Sequence, residues 1–172
     1  MRLQRMPVAL KMLTLILAIV VAGAALLFIA GRLGWLAGTP PADVGVRDGR
    51  LKPPSATRNS VSSQASLYPA APQRRYAEIA PLRCEGDPVS AMVRLERVLG
   101  TMPGAKIVAV RPDYLYAQFT TRWLRFVDDV EFMAAPDEGV IHLRSASRLG
   151  REDLGTNRRR VEAIRAACGE LR

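Results

Sequence analysis

Asp129 and Glu131 stand two residues apart in Phe126 to Phe132, FVDDVEF, and His142 and Arg144 stand two apart in Val140 to Ser147, VIHLRSAS. Two carboxylates on one side of a strand could divide acid and base work between them. A nearby arginine, however, would hold one of them ionised and turn the pair toward ion pairing. Ser145, His142 and Asp129 contain the residue types of a nucleophile, base and orienter, but Ser145 and His142 differ by an odd number. On a strand they point to opposite faces, so no proton could pass between them. Further along, the segment adds Arg148, Asn157 and Arg160; an anion could sit at the free amides of the helix start with Arg144 and Arg148 close by, or these arginines could form an internal network with the chain's own carboxylates. The chain has one histidine and no paired Cys or His spacing, so no metal ligand set is legible and no cofactor is expected.

Strands must position these groups. Pro136-Asp137 punctuates the two runs, and a two-residue loop there would place Phe132 opposite Ile141 and Val130 opposite Leu143 on one face. The other face would then carry Glu131 opposite His142 and Asp129 opposite Arg144. Two more strands are expected before them, Lys106 to Arg111 and Tyr114 to Thr121, joined at Pro112-Asp113. Asp87-Pro88 opens a helix with Ala91, Met92, Leu95, Val98 and Leu99 at helical spacing, and Gly100 is its expected stop. A last helix from about Asn157 to Glu170 presents Val161, Ile164, Ala167 and Cys168 on one side, with Asp153 or Thr156 as its cap. The fold class is therefore α+β, an antiparallel sheet of about four strands with two helices packed on one face. The other face is expected to be open to water, and Asp129, Glu131, His142 and Arg144 would lie on it.

Upstream, Met12 to Gly31 is an apolar run without a charge, long enough as a helix to cross the roughly 30 Å core of a bilayer. Arg2, Arg5 and Lys11 precede it, which favours a cytoplasmic N-terminus. The competing reading is a cleaved signal peptide with Ala22-Gly23-Ala24 as the cleavage site, although that site lies inside the run. Three regions follow: 1–37 as basic N-terminus and single transmembrane anchor, 38–75 as an extended linker with a Ser/Asn-rich motif, and 76–172 as the α+β domain. The expected location is the inner (cytoplasmic) membrane with the C-terminal domain periplasmic.

The formal charge of +9 is concentrated early: residues 1–73 hold eight Lys and Arg against two Asp and Glu, and the remainder holds seventeen against fourteen. A nucleic-acid binder carries its excess on the folded domain, so that class is set aside. Cys84 precedes the first domain helix and Cys168 ends the last. Two readings stay open, a disulfide formed in an oxidising compartment and two separate thiols with Cys168 in the core.

The blocks NSVSSQ (Asn59 to Gln64), DYLYA (Asp113 to Ala117), FVDDVEF, RSASRLG (Arg144 to Gly150) and DLGTNRRRVEAIR (Asp153 to Arg165) resemble a bacterial family of domains of unknown function. Its pattern is N-C-V-S-S, D-D-V-E-F and R-S-A-S-R-x-G-x-x-D-x-G-x-N-R-x-R, and the resemblance runs from about Leu51 to Arg165. It implies an exported or membrane-attached protein and carries no activity with it. Ser60 stands where the family has cysteine, and the cysteine expected upstream is absent from Leu51 to Arg58, so a thiol role for the block is lost here. The expected function is a non-catalytic envelope protein that binds an envelope partner or a small anion through the open face and Arg144 to Arg160. The alternatives are an enzyme using Asp129 and Glu131, and a purely structural envelope protein.

Overall fold

The computed structural model describes residues 7–83 and 86–169. An N-terminal helix, α1 (Val8–Arg32), is followed by strand β1 (Ser60–Ser62), the short helix α2 (Arg74–Ala77) and strand β2 (Leu82–Arg83). Then come helix α3 (Pro88–Thr101), strands β3 (Ala105–Arg111), β4 (Tyr114–Thr120), β5 (Val127–Ala135) and β6 (Val140–Ser147), and helix α4 (Thr156–Gly169).

The β3–β6 meander is present, but the sheet has six strands rather than four, in the order β1-β6-β5-β4-β3. Both additional strands run antiparallel to β6: Ser60–Ser62 against Arg144–Ala146, and Leu82–Arg83 against Val140–Ile141. They satisfy the outer edge of β6, which the expected four-strand meander would have left bare.

α3 forms where its apolar spacing requires. Asp87 accepts from the amides of Val89 (3.2 Å) and Ser90 (2.9 Å), and Pro88 fills the first turn without wasting a donor. Gly100 does not end the helix, which continues to Thr101. It ends with Met102 as its cap, and Gly104 in the following loop has a φ of +78° and a position, with a hypothetical Cβ 2.4 Å from the carbonyl oxygen of Thr120, that admit only glycine. The helix buries Ala91, Met92, Leu95, Val98 and Leu99; all but Val98 join Leu115, Ala117, Val130, Phe132, Leu143, Val161 and Ile164 in the main core.

The second face of the sheet is covered, not open. Residues 43–68, expected as an extended linker, fold across it, and Leu51 plugs a second apolar cluster with Tyr114, Tyr116 and Met133. Arg47 and Arg50 exchange backbone bonds of 2.9 and 3.0 Å around Asp48 and Gly49, whose φ values of +50° and +69° make this a tight two-residue hairpin turn. The NSVSSQ block is what ties the segment down. Val61 is fully buried, Ser60 receives the Ser55 amide at 2.8 Å, and the side chain of Gln64 binds the amide of Leu51 (2.8 Å) and the carbonyl of Gly49 (3.2 Å).

The β5–β6 register differs from expectation by two residues. Pro136–Glu138 forms a 3-10 turn closed by Gly139 at φ +66°, so Ala135 pairs with Val140. Phe132 therefore faces Leu143 rather than Ile141, Val130 faces Ser145, Glu131 faces Arg144, Asp129 faces Ala146 and Met133 faces His142. A shift of two leaves every side chain on its expected face.

α1 is long and apolar enough to cross a membrane; a signal sequence has the same properties. Its last turn touches the domain, because a Cβ on Gly31 would lie 2.5 Å from the carbonyl oxygen of Leu124. Both readings of the cysteines, a disulfide and two separate thiols, involve Cys84, which lies outside the described residues.

Candidate functional site

Three buried ion pairs lie within the sheet and its coverings, and each includes a residue singled out by its spacing, although Asp128, a partner in one of them, was not. Their parity decides which covering each one meets. Asp128, on the helix side of β5, pairs with Arg160 of α4. Arg160 also donates to Ser145 Oγ (3.0 Å) and Asn157 Oδ1 (2.7 Å), and its guanidinium lies 4.9 Å from the centre of the Phe119 ring. Asp129, on the opposite side, accepts from Arg148 Nε (2.8 Å) and Nη2 (2.7 Å) and from the Tyr116 hydroxyl (2.5 Å). Glu131 lies 3.9 Å from Arg144 and accepts from the Gly45 amide (2.7 Å) and the Tyr114 hydroxyl (2.8 Å), while its Oε2 has no hydrogen-bond partner.

These environments fix the protonation of the surrounding groups. Burial, with the neighbouring carboxylate second, pushes the Tyr114 hydroxyl far above its ordinary value, and Tyr116 is raised by burial and its bond to Asp129. Both tyrosines therefore act as donors. Burial lowers the Arg144 guanidinium despite the opposing pull of Glu131, whereas the bonds to Asp129 raise Arg148.

Asn157 is fully buried and organises the junction between α4 and β1. Its amide nitrogen donates to the Asn59 carbonyl, to Ser147 Oγ (3.0 Å each) and to Asp153 (2.8 Å), and its oxygen receives the Ser145 hydroxyl at 2.6 Å. Asp153 receives the backbone amides of Gly155 and Asn157 (3.0 Å each) as well as the Tyr76 hydroxyl. Burial alone would raise the Asp153 carboxyl, and these donors outweigh it, leaving it below its usual value. The helix start that looked ready for an anion is thus occupied by the chain's own carboxylate, and Arg148 is committed to Asp129. His142 bonds Ser63 Oγ (3.0 Å) through Nδ1 and Glu138 (3.2 Å) through Nε2.

Asp129, Glu131, His142, Arg144, Arg148, Asn157 and Arg160 are accordingly brought together in two groups, one on each face of the sheet. They do not form an exposed surface. Ser145 and His142 do lie on opposite faces, as their numbering requires. Among the described residues, no group of three or more His, Cys, Asp or Glu is placed to hold a metal ion.

Open space lies within the covering segment instead. A cleft of about 590 Å³ is bounded by Asp43, Arg47, Arg50, Lys52, Pro53 and Tyr68, and Pro53 offers its carbonyl to Arg144 Nε at 3.1 Å. Lys52 pairs with Asp43 at 2.6 Å on the rim. None of the rim residues was singled out by spacing. The available signal was Asp48-Gly49 between two arginines, a hairpin dipeptide in a stretch otherwise resembling a spacer.

An α+β domain behind an apolar N-terminal helix, with its charges paired internally, is the class of protein that fold and site define. Residues 50–168 match the sequence profile of a family described as a protein of unknown function (DUF1499), and the chain belongs to that family. No curated protein and no solved structure matches it.

Proposed function

We propose that this protein is a single-span membrane protein of the cell envelope whose globular part, on the periplasmic side, binds a small anion or an anionic group of an envelope partner without catalysing a reaction. The observation that carries the reading is the distribution of charge. Asp128, Asp129 and Glu131 each lie against an arginine beneath a covering layer, whereas Arg47, Arg50 and Lys52 edge the cleft against Asp43 and Asp48. The attraction for an anion comes from these rim bases. Acid–base catalysis by Asp129 and Glu131 is disfavoured because both are at most 3% exposed and already accept hydrogen bonds.

Titration of the full chain in nanodiscs with phosphate and with citrate, followed by amide NMR, tests the site. The expected result is a saturable shift of the Gly45, Leu51 and Lys52 amides that is lost in Arg50→Ala/Lys52→Ala. Absence of saturable shifts with either anion would favour a purely structural role. Sidedness is tested separately by an alkaline-phosphatase fusion after Ala37, for which an active fusion is expected and an inactive one refutes the periplasmic reading.

A further inference from the structure

α1 has 25 residues, about 37 Å at ~1.5 Å per residue, and exceeds a roughly 30 Å hydrocarbon core by about 7 Å, roughly two-thirds of a turn at each end. Its last turn therefore lies among the headgroups. The β4–β5 loop lies at that level, since Gly31 abuts the Leu124 carbonyl. A second contact, between Gly38 and the Arg148 and Leu149 side chains, fixes the other side of the turn that follows α1, with a hypothetical Cβ 2.8 Å from Arg148 Cβ.

The loop itself is short and constrained. Thr121 and Phe126 close it with the Thr121 amide on the Phe126 carbonyl and the Phe126 amide on Thr121 Oγ1, both at 2.9 Å, and Arg125 adopts φ +59°. This leaves Trp123 63% exposed, with the Arg122 guanidinium 4.9 Å from its ring centre, and Trp35 74% exposed across the turn. Arg32, Arg122 and Arg125 are the only charged residues in 29–38 and 121–126, so this end is uniformly basic. Exposed indoles with neighbouring arginines match a headgroup layer, where the ring leaves water and the guanidinium meets phosphate.

We propose that the β4–β5 loop is a second membrane contact, seating Trp123 with Arg122 and Arg125 on the anionic lipid headgroups around the end of α1 and holding the domain against the bilayer. The assignment rests on the reading of α1 as a membrane anchor. Docking in this way would keep the domain at a fixed height, with its cleft on a layer separate from the loop.

The chain's two tryptophans supply the test, because Trp35→Phe leaves only Trp123 and Trp123→Phe leaves only Trp35. Each variant of the full chain is placed in nanodiscs of brominated phosphatidylcholine, with and without phosphatidylglycerol, and compared with unbrominated discs. The expected result is loss of emission from both indoles, with the Trp123 loss larger when phosphatidylglycerol is present and reduced in Arg122→Gln/Arg125→Asn; Asn tolerates the left-handed backbone. Quenching of Trp35 with unchanged Trp123 overturns the docking while leaving the anchor in place. Trp123 quenching that is indifferent to phosphatidylglycerol overturns the anionic contact, and quenching of neither indole refutes the anchor and the docking together. An unchanged unfolding midpoint for each variant excludes loss of structure as the cause.

Discussion

Asp129→Asn removes one charge and almost no volume, and the structure gives a definite expectation for it. The carboxylate is 3% exposed and accepts two bonds from Arg148 and one from Tyr116, while the Arg148 side chain is only 6% exposed. An amide can still accept one or two of these bonds, but it leaves a buried guanidinium without its counter-charge. Breaking a buried pair from one side costs about 3 to 5 kcal/mol, a large part of the 5 to 15 kcal/mol of a typical domain. At about 4 °C per kcal/mol for a domain of this size, the thermal midpoint should fall by about 12 to 20 °C. Circular dichroism melting of the full chain in detergent measures it. The companion variant Asp129→Leu/Arg148→Met removes both charges, and it should recover most of the loss because apolar replacement of a buried pair is often neutral. Tyr116 keeps a partner there, since Gln118 donates to its hydroxyl at 3.0 Å. A fall below about 4 °C for the single variant, or a double variant no better than the single one, would refute the view of this pair as a desolvated, mutually dependent unit.

Leu51→Ala should cost about 2 to 5 kcal/mol, as for other buried large-to-small changes. Hydrogen exchange should then accelerate at the Gly45 and Leu51 amides, which bond Glu131 and Gln64, before it does at Val130 and Phe132 in the main core. Equal acceleration at all four would mean that the covering segment and the core open as one unit. All four tyrosines, Tyr68, Tyr76, Tyr114 and Tyr116, are raised chiefly by burial. Their phenolate forms are therefore favoured only in the unfolded chain, and the stabilisation they give is full below about pH 10 and lost as pH rises through their folded values. An alkaline titration should show tyrosinate absorbance rising together with loss of circular dichroism; ionisation at about pH 10 in the folded protein would contradict the burial argument.

The faces of β5 and β6 were legible because a strand has a period of two: Val130 and Phe132 cannot share a side with Asp129 and Glu131. Their partners were not legible, because pairing depends on how many residues the turn consumes. Pro136-Asp137 located that turn, but Gly139 in the left-handed region lengthens it and moves the register by two. The same limit applies to β1. Asn59 to Gln64 read as part of a Ser/Asn-rich motif in a linker, and its pairing with Arg144–Ala146 depends on contacts more than eighty residues away.

The covering of the polar face was hidden for a different reason. Residues 43–68 have no apolar period, since they are held by a few scattered apolar residues, chiefly Leu51 and Val61, and by side chains that bond backbone, such as Gln64 to Leu51 and Ser60 to Ser55. Such a layer can dry a sheet face without looking like a core element. It also explains why that face is so charged. Once covered, each acid needs a nearby donor or base, and Glu131 with Gly45, Tyr114 and Arg144 meets that need within the fold. The spacing that first suggested acid–base chemistry follows from enclosing the sheet, and the bases at the cleft rim and on the β4–β5 loop lie outside that enclosure.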